Sequence, residues 1–309
     1  MNVRTFIRQS TKSIQKEVGT GTALCATSGG VDSMACAFLA HRALGKNLIA
    51  LFIDDGLMRE QEPQTVTKLL KKHGIRTVTV RAAQDFSRAL KGKEDPEIMR
   101  KAFRDTFYKT LGKAVRKYHA SHLIQGTIAA DIKETKGKIK SQHNVLSQIG
   151  ISPKKYGLRI IEPLKTLYKP GVRKVAQALG LSKSVYQRMP FPGPGLATRV
   201  VGEVTPQRVR IVRKATVIVE RALKKYKPFQ AFAVLLHDRA TGIKKGSRQF
   251  GNIIVIRSVD SRDALTATAT KIPFAVLDSI QRSIYRQIPE VTKVLYDISP
   301  KPPSTIEYI

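Results

Sequence analysis

The chain has 309 residues, 42% of them hydrophobic and 25% charged, with a formal net charge of +32 at pH 7. That length suits two domains with a core each, and the composition excludes a disordered, collagen-like or disulfide-rich chain. No apolar run is long enough to span a bilayer, the start lacks the apolar core of a signal peptide, and Cys25 and Cys36 are spaced for neither a zinc site nor a redox pair, so a cytoplasmic protein is expected.

Residues 5–18 carry the apolar spacing of an amphipathic helix, which Gly19-Thr20-Gly21 ends. The short apolar run 22–27 reads as a buried strand, followed by Ser28-Gly29-Gly30-Val31-Asp32-Ser33 and by helical periodicity over 34–44. Residues 47–53 read as a second strand ending at Asp54-Asp55-Gly56, 64–73 as a helix, 76–81 as a third strand and 95–117 as a long helix. Two further strands, 122–125 and 159–162, precede a helix at 169–178. Strands that alternate with helices predict an α/β fold, a doubly wound parallel sheet, over residues 1–188. The proline- and glycine-rich stretch 189–195 continues neither a helix nor a central strand and marks a domain boundary. Beyond it, helices at 206–225 and 274–287 with strands at 230–236, 252–258 and 293–298 predict a second, smaller α+β domain over residues 189–309.

A strand, a glycine loop and a helix in succession let loop amides and a helix N-terminus converge on a phosphate. In Ser28 to Ser33 the two glycines allow the backbone to approach an anion, and the hydroxyls add donors. Asp32 attracts no anion; it makes sense as a ligand for Mg²⁺ or as a residue that orients the loop. The same residues also suit an ordinary serine-glycine turn. The loop is not the Walker form, because no Gly-Lys-Ser/Thr follows. Asp54 stands at a strand's carboxyl end, where α/β sheets gather ligands. Glu162 suits a strand-end cap, His143 a hydrogen-bonded loop, and the two cysteines small buried hydrophobes. The charge reads either as a field that attracts polyanions such as RNA or as a compositional bias, since it is spread through both halves with few aromatics interleaved.

The loop resembles that of the N-type ATP pyrophosphatases, which transfer AMP and release pyrophosphate. Blocks along nearly the whole chain resemble the ATP pyrophosphatase part of GMP synthase in particular: Ile53-Asp54-Asp55-Gly56-Leu57-Met58-Arg59, Gln125-Gly126-Thr127-Ile128, Gly137-Lys138-Ile139-Lys140-Ser141-Gln142-His143-Asn144, Pro190-Phe191-Pro192-Gly193-Pro194-Gly195-Leu196, Gln230-Ala231-Phe232-Ala233-Val234, and Lys301-Pro302-Pro303-Ser304-Thr305-Ile306-Glu307. The resemblance implies ATP bound by Ser28, Gly29, Gly30, Val31, Asp32, Ser33, Asp54 and Gly126, with Asp32 also a Mg²⁺ ligand. It implies catalytic roles for Asp32 and for Lys140, which falls in the family's lid. It places xanthosine monophosphate at Arg59, Gln230, Arg257, Lys301 and Glu307, with Glu307 either accepting hydrogen bonds from the nucleotide or stabilising the C-terminal tail.

The implied reaction adenylates the acceptor's C2 oxygen and then aminates it to GMP, with ammonia from a separate glutamine amidotransferase subunit and a homodimer formed by the second domain. The chain departs from the family at Gly242-Ile243-Lys244-Lys245-Gly246-Ser247-Arg248, where a carboxylate expected to touch the nucleotide is absent and lysines stand instead. Gln142 replaces the first of two lid histidines, and Arg104 stands where glycine is common. Losing a polar partner weakens discrimination among acceptors, so a base within RNA is the competing acceptor, and nucleotide binding without turnover the third reading.

Overall fold

The apolar runs of the amino-terminal half pair as one parallel sheet. The computed structural model describes residues 2–136, 158–262 and 264–309. Its strands are β1 (Ala23–Ala26), β2 (Leu48–Asp54), β3 (Thr77–Arg81), β4 (His122–Ile124) and β5 (Arg159–Ile161), in the order β3-β2-β1-β4-β5 and all parallel. Leu48 to Ile53 are buried without alternation, as expected of strands covered on both faces. The strand order reverses between β1 and β4, which makes that crevice the topological switch point of the sheet.

Helix α1 (Val3–Val18) starts ahead of its apolar periodicity because the Asn2 side chain accepts the Thr5 N–H at 3.1 Å and caps it. Helix α2 (Val31–Leu44) begins inside the glycine loop rather than after it. Met34, Ala35, Cys36, Ala37, Leu39 and Ala40 are all fully enclosed, so α2 is buried around most of its circumference. Helix α3 (Glu62–Lys72) and the long α5 (Pro96–Lys117) stand where the sequence placed them, while α4 (Ala83–Leu90), between β3 and α5, was not read. Helix α6 (Ala129–Lys136) was also unexpected; α7 (Lys169–Ala178) matches, and the single turn α8 (Lys183–Tyr186) follows it.

The described residues gather into two compact units. The first lies within Met1–Asp54, Gln61–Ala82 and Arg104–Arg188; the second within Asp55–Glu60, Ala83–Phe103 and Met189–Ile309. Two short stretches ahead of Arg188 thus belong to the second unit, because their apolar residues find their partners there: Leu57, Leu90 and Met99 share one core with Leu196, Val212 and Ile256. In this unit α9 (Pro206–Leu223), capped by the Thr205 hydroxyl, packs Val209, Val212, Ala215 and Val219 onto β6 (Gln230–Lys244). Strand β7 (Ser247–Asp260) pairs antiparallel with β6, β8 (Thr268–Ala269) with β7, α10 (Phe274–Gln287) follows, and β9 (Val291–Asp297) lies parallel to β7.

Strands β6 and β7 run well beyond the 230–236 and 252–258 expected from sequence. Lys245 and Gly246 join them with φ of 48° and 76°, the positive pair a two-residue hairpin turn needs. The outer half of the hairpin is exposed, Ile243 by 76%, so no buried face imposes the alternation that announces a strand. Among the described residues no helix is long and apolar enough to cross a membrane.

Candidate active site

The carboxyl ends of β1, β2 and β4 bring the glycine loop, Asp54 and Gly126 to one edge of the parallel sheet. Thr27 anchors the exit of β1, its N–H and its hydroxyl both donating to the Leu51 carbonyl at 2.9 and 3.2 Å. Ser33 then closes the loop on the first turn of α2: its Oγ accepts the Ser28 N–H at 3.1 Å and donates to the Gly30 carbonyl at 3.0 Å, with Ser28 Oγ 3.2 Å away. Gly29 has φ of +80°, and a Cβ there would fall 2.5 Å from Val66 Cγ2, so this position requires glycine. At Gly30 a Cβ would meet only Ser28 Oγ, at 3.5 Å; the loop is open on that side. Val31, Asp32 and Ser33 form the first turn of α2, whose N–H groups lack intrahelical acceptors and carry the positive end of the helix dipole. The arrangement suits an anion at the open side.

Gly126 serves the loop from behind. A Cβ there would lie 2.9 Å from the Asp32 carbonyl carbon and 3.0 Å from the Ser33 nitrogen, so glycine lets the chain leaving β4 pack backbone to backbone on α2. Asp54 is half-buried at the end of β2.

Asp32 is the electrostatic centre of this edge. Its Oδ2 accepts from Lys169 Nζ, while its Oδ1 is buried without a hydrogen-bond partner among the described residues. Burial pushes its pKa up; Lys169 opposes the rise, Asp131 adds to it and Arg173 opposes it. Asp131, in the first turn of α6, accepts the Ile128 N–H at 2.9 Å. Neither Lys169 nor Asp131 was singled out from the sequence. A signal existed for Lys169: it is the first residue of a helix, where the dipole disfavours a cation unless an anion faces it.

Other candidates resolve structurally. Glu162 accepts from the Thr127 hydroxyl at 2.7 Å, tying the exits of β4 and β5 together. Cys25 and Cys36 are fully enclosed and free, and burial with the neighbouring Cys25 pushes the Cys36 thiol up, so both are packing residues. Lys140, with Gln142 and His143, lies outside the described residues.

In the second unit, three of the five expected acceptor residues meet around Pro190-Phe191. The Arg59 guanidinium lies 4.3 Å from the Phe191 ring centroid, donates to the Met189 and Pro190 carbonyls at 3.3 and 3.4 Å, and pairs with Glu220 at 2.9 Å. Gln230 Nε2 donates to the Pro190 carbonyl at 3.2 Å and to Glu307 Oε1 at 2.9 Å. Glu307 also takes a two-pronged bond from Arg199, Nε to Oε2 at 3.1 Å and an Nη to Oε1 at 3.0 Å, so its oxygens are engaged by the chain itself. Arg199, only 1% exposed, lies against the rings of Phe191 and Phe232 at 5.0 and 4.0 Å and keeps one Nη without a partner among the described residues. Sequence reasoning missed Arg199, because an arginine beside an apolar block reads as surface until its burial is seen.

The structure sets the other two apart. Arg257 is fully enclosed and spends its guanidinium on the carboxyl-terminal segment, donating to the Ser299 and Thr305 carbonyls at 2.7 and 2.9 Å and pairing with Asp297 at 3.2 Å. Lys301 Nζ donates to the Ala264 carbonyl at 2.8 Å. Gly242 to Arg248, expected to reach the acceptor, form the tip of the β6–β7 hairpin, where Lys244 donates to the Pro289 carbonyl.

Comparison with known proteins accounts for both units. A PP-loop domain model matches residues 3–182, and a GMP synthase C terminal domain model matches residues 218–308. The chain is 48% identical over 309 residues to the B subunit of GMP synthase [glutamine-hydrolyzing] from Archaeoglobus fulgidus, covering 100% of both chains. It is 45% identical to that of Methanopyrus kandleri and 48% identical to that of Thermococcus kodakarensis, in each case over 98% of both chains. The chain therefore belongs to the PP-loop family and, within it, to the family of GMP synthase B subunits.

Proposed function

We propose that this chain makes GMP from xanthosine monophosphate at the expense of ATP, in two steps. The acceptor's C2 oxygen attacks the α phosphorus of ATP; the bond from that phosphorus to the bridging oxygen breaks, and pyrophosphate leaves with the electron pair. Ammonia then attacks C2, loses protons to solvent, and AMP departs with the former C2 oxygen. The observation that carries this reading is the loop Ser28 to Ser33, closed by Ser33 and open at Gly30, at the switch point of a parallel sheet. Its amides and the start of α2 cradle the triphosphate, where fixed dipoles stabilise charge as it develops on the leaving pyrophosphate.

Mg²⁺ fits Asp32. An ion that arrives with ATP keeps phosphate and water ligands and needs only one or two carboxylates, and Asp32 Oδ1 is a buried acceptor with no partner among the described residues. When bound it would neutralise phosphate charge. Lys169 holds the other oxygen of Asp32 and so sets the direction in which Oδ1 points.

Acceptor binding falls to the second unit. Arg59 and the Nη of Arg199 that has no partner among the described residues supply cations for a nucleotide phosphate, and Glu307 holds Arg199 and Gln230 in place. We assign ammonia supply to a separate glutamine amidotransferase subunit, pairing of two copies to the second unit, and the place of action to the cytoplasm. The full-length relatives favour a free nucleotide over a base within RNA as acceptor.

Purified chain given ATP, MgCl₂, ammonium chloride and xanthosine monophosphate should release GMP, AMP and pyrophosphate in equal amounts. A chain that binds ATP yet makes no GMP across broad ranges of ammonium and pH would refute the reading.

A further inference from the structure

We infer that Glu62 and Arg188 are a positioning pair for the glycine loop: together they form the neutral floor on which Gly29 rests. The inference rests on the loop being the triphosphate site. Glu62, the first residue of α3, has a side chain only 2% exposed, and its Oε1 pairs with Arg188 at 2.8 Å. Its Oε2 has no hydrogen-bond partner among the described residues. A Cβ on Gly29 would lie 3.1 Å from that same Oε1 and 3.4 Å from the paired Arg188 nitrogen. The two paired atoms are therefore the ones that face the Gly29 Cα and would meet any side chain there, with Val66 completing the seat.

A buried carboxylate is costly, and an apolar side chain of similar volume fills such a space as well or better. What the pair supplies is polarity with cancelled charge. Arg188 neutralises Glu62; without it a buried anion would sit beside a loop built to hold phosphates and would repel them. With Arg188 in place, the floor holds Gly29 in its left-handed conformation, and the amides that follow keep their direction. The pair acts through the loop's position and field, not by touching the reacting atoms, and its two members are unequal: losing Arg188 uncovers a buried anion that repels phosphate, whereas neutralising Glu62 leaves a partly exposed cation that does not.

The inequality gives the test. Equilibrium dissociation constants for ATP with MgCl₂, and separately for xanthosine monophosphate, are measured by titration calorimetry on the full chain and on Arg188→Ala, Glu62→Gln and the double variant. Arg188→Ala is expected to weaken ATP binding about tenfold or more while xanthosine monophosphate binding changes less than about twofold. Glu62→Gln leaves the Arg188 cation beside the loop, so ATP binding should change by less than about threefold, and the double variant should recover most of the loss caused by Arg188→Ala. If Arg188→Ala does not fold, Arg188→Lys, which keeps the charge but loses the planar fork, should weaken ATP binding about threefold. Unchanged ATP binding in the foldable arginine variant, or a double variant no better than Arg188→Ala, overturns the inference. Wild type that binds ATP but makes no GMP would sink the proposed reaction alone, since the binding comparison still decides the pair; wild type that binds no ATP would sink both.

Discussion

Each unit keeps a carboxylate largely out of solvent, and the two are held in opposite ways. In the first, burial raises the pKa of Asp32, Lys169 offsets the rise only in part, and one oxygen has no partner among the described residues. In the second, burial also works to raise Asp297, but the Ser299 N–H at 2.8 Å, the Tyr308 hydroxyl at 2.8 Å and Arg257 at 3.2 Å outweigh it and hold the carboxyl below its ordinary range. The linkage signs are opposite. Asp297, with a lowered folded pKa, lends stability that is present above its unfolded value and lost as pH falls through the folded one. Asp32, with a raised folded pKa, lends stability only at low pH, and loses it as pH rises through the folded value. At neutral pH Asp32 is therefore a cost to the fold, one that the proposed Mg²⁺ would relieve, while Asp297 is a gain that needs nothing further. On the proposed function, the contrast separates a carboxylate kept for a ligand from one kept for the fold.

The largest expected effect tests whether the second unit's arginines are equally structural. Arg199→Ala breaks a buried pair and leaves Glu307 uncompensated, so urea denaturation should show a loss of about 3–5 kcal/mol, with xanthosine monophosphate binding weakened as well. A stable variant with weakened binding would instead make Arg199 a ligand residue that the fold does not need. Next, Asp32→Asn should lower the rate of AMP release about 10²- to 10³-fold without lowering the melting temperature at pH 7. A matching fall in stability would break the comparison, because it would place Asp32 with Asp297.

Asp297→Asn should cost about 1–3 kcal/mol at pH 7 and leave the rate per folded molecule intact. In wild type this contribution should fade as pH drops from the ordinary carboxylate value of 3.8, and urea midpoints measured across that acid range should show a shallower fall in the variant. Smallest of all is Gly246→Ala at the hairpin tip, where φ is +76° and nothing lies within 4 Å of an added Cβ. The left-handed conformation alone should cost about 1 kcal/mol. Acceptor affinity should not change; if it does, the hairpin tip is part of the acceptor site after all.

Strand β2 is legible because the unbroken apolar run 48–53 means burial on both faces, a property of adjacent residues. The glycine loop was legible for the same reason: Ser28 to Ser33 close on each other within a span of five residues. Helix α4 escaped because eight residues hold too few turns for periodicity to declare itself, and the outer hairpin because exposure removes alternation. The resemblance points to Arg257 as an acceptor residue; its burial and its bonds to the carboxyl-terminal segment, which the sequence does not announce, come from residues 40 and more positions away.

By itself, then, the sequence determined the alternation of the main strands and helices, the glycine loop and the identity of the carboxylate at its centre, since each depends on spacing within a few turns of chain. Only the tertiary structure decided which charges meet. Lys169 faces Asp32 across 137 residues, Arg199 grips Glu307 across 108, and Arg188 reaches Glu62 beneath Gly29. The first of those encounters opposes the rise that burial imposes on Asp32, and all three fix the positions of the candidate groups, because burial and Coulomb energy depend on distance in space and not along the chain.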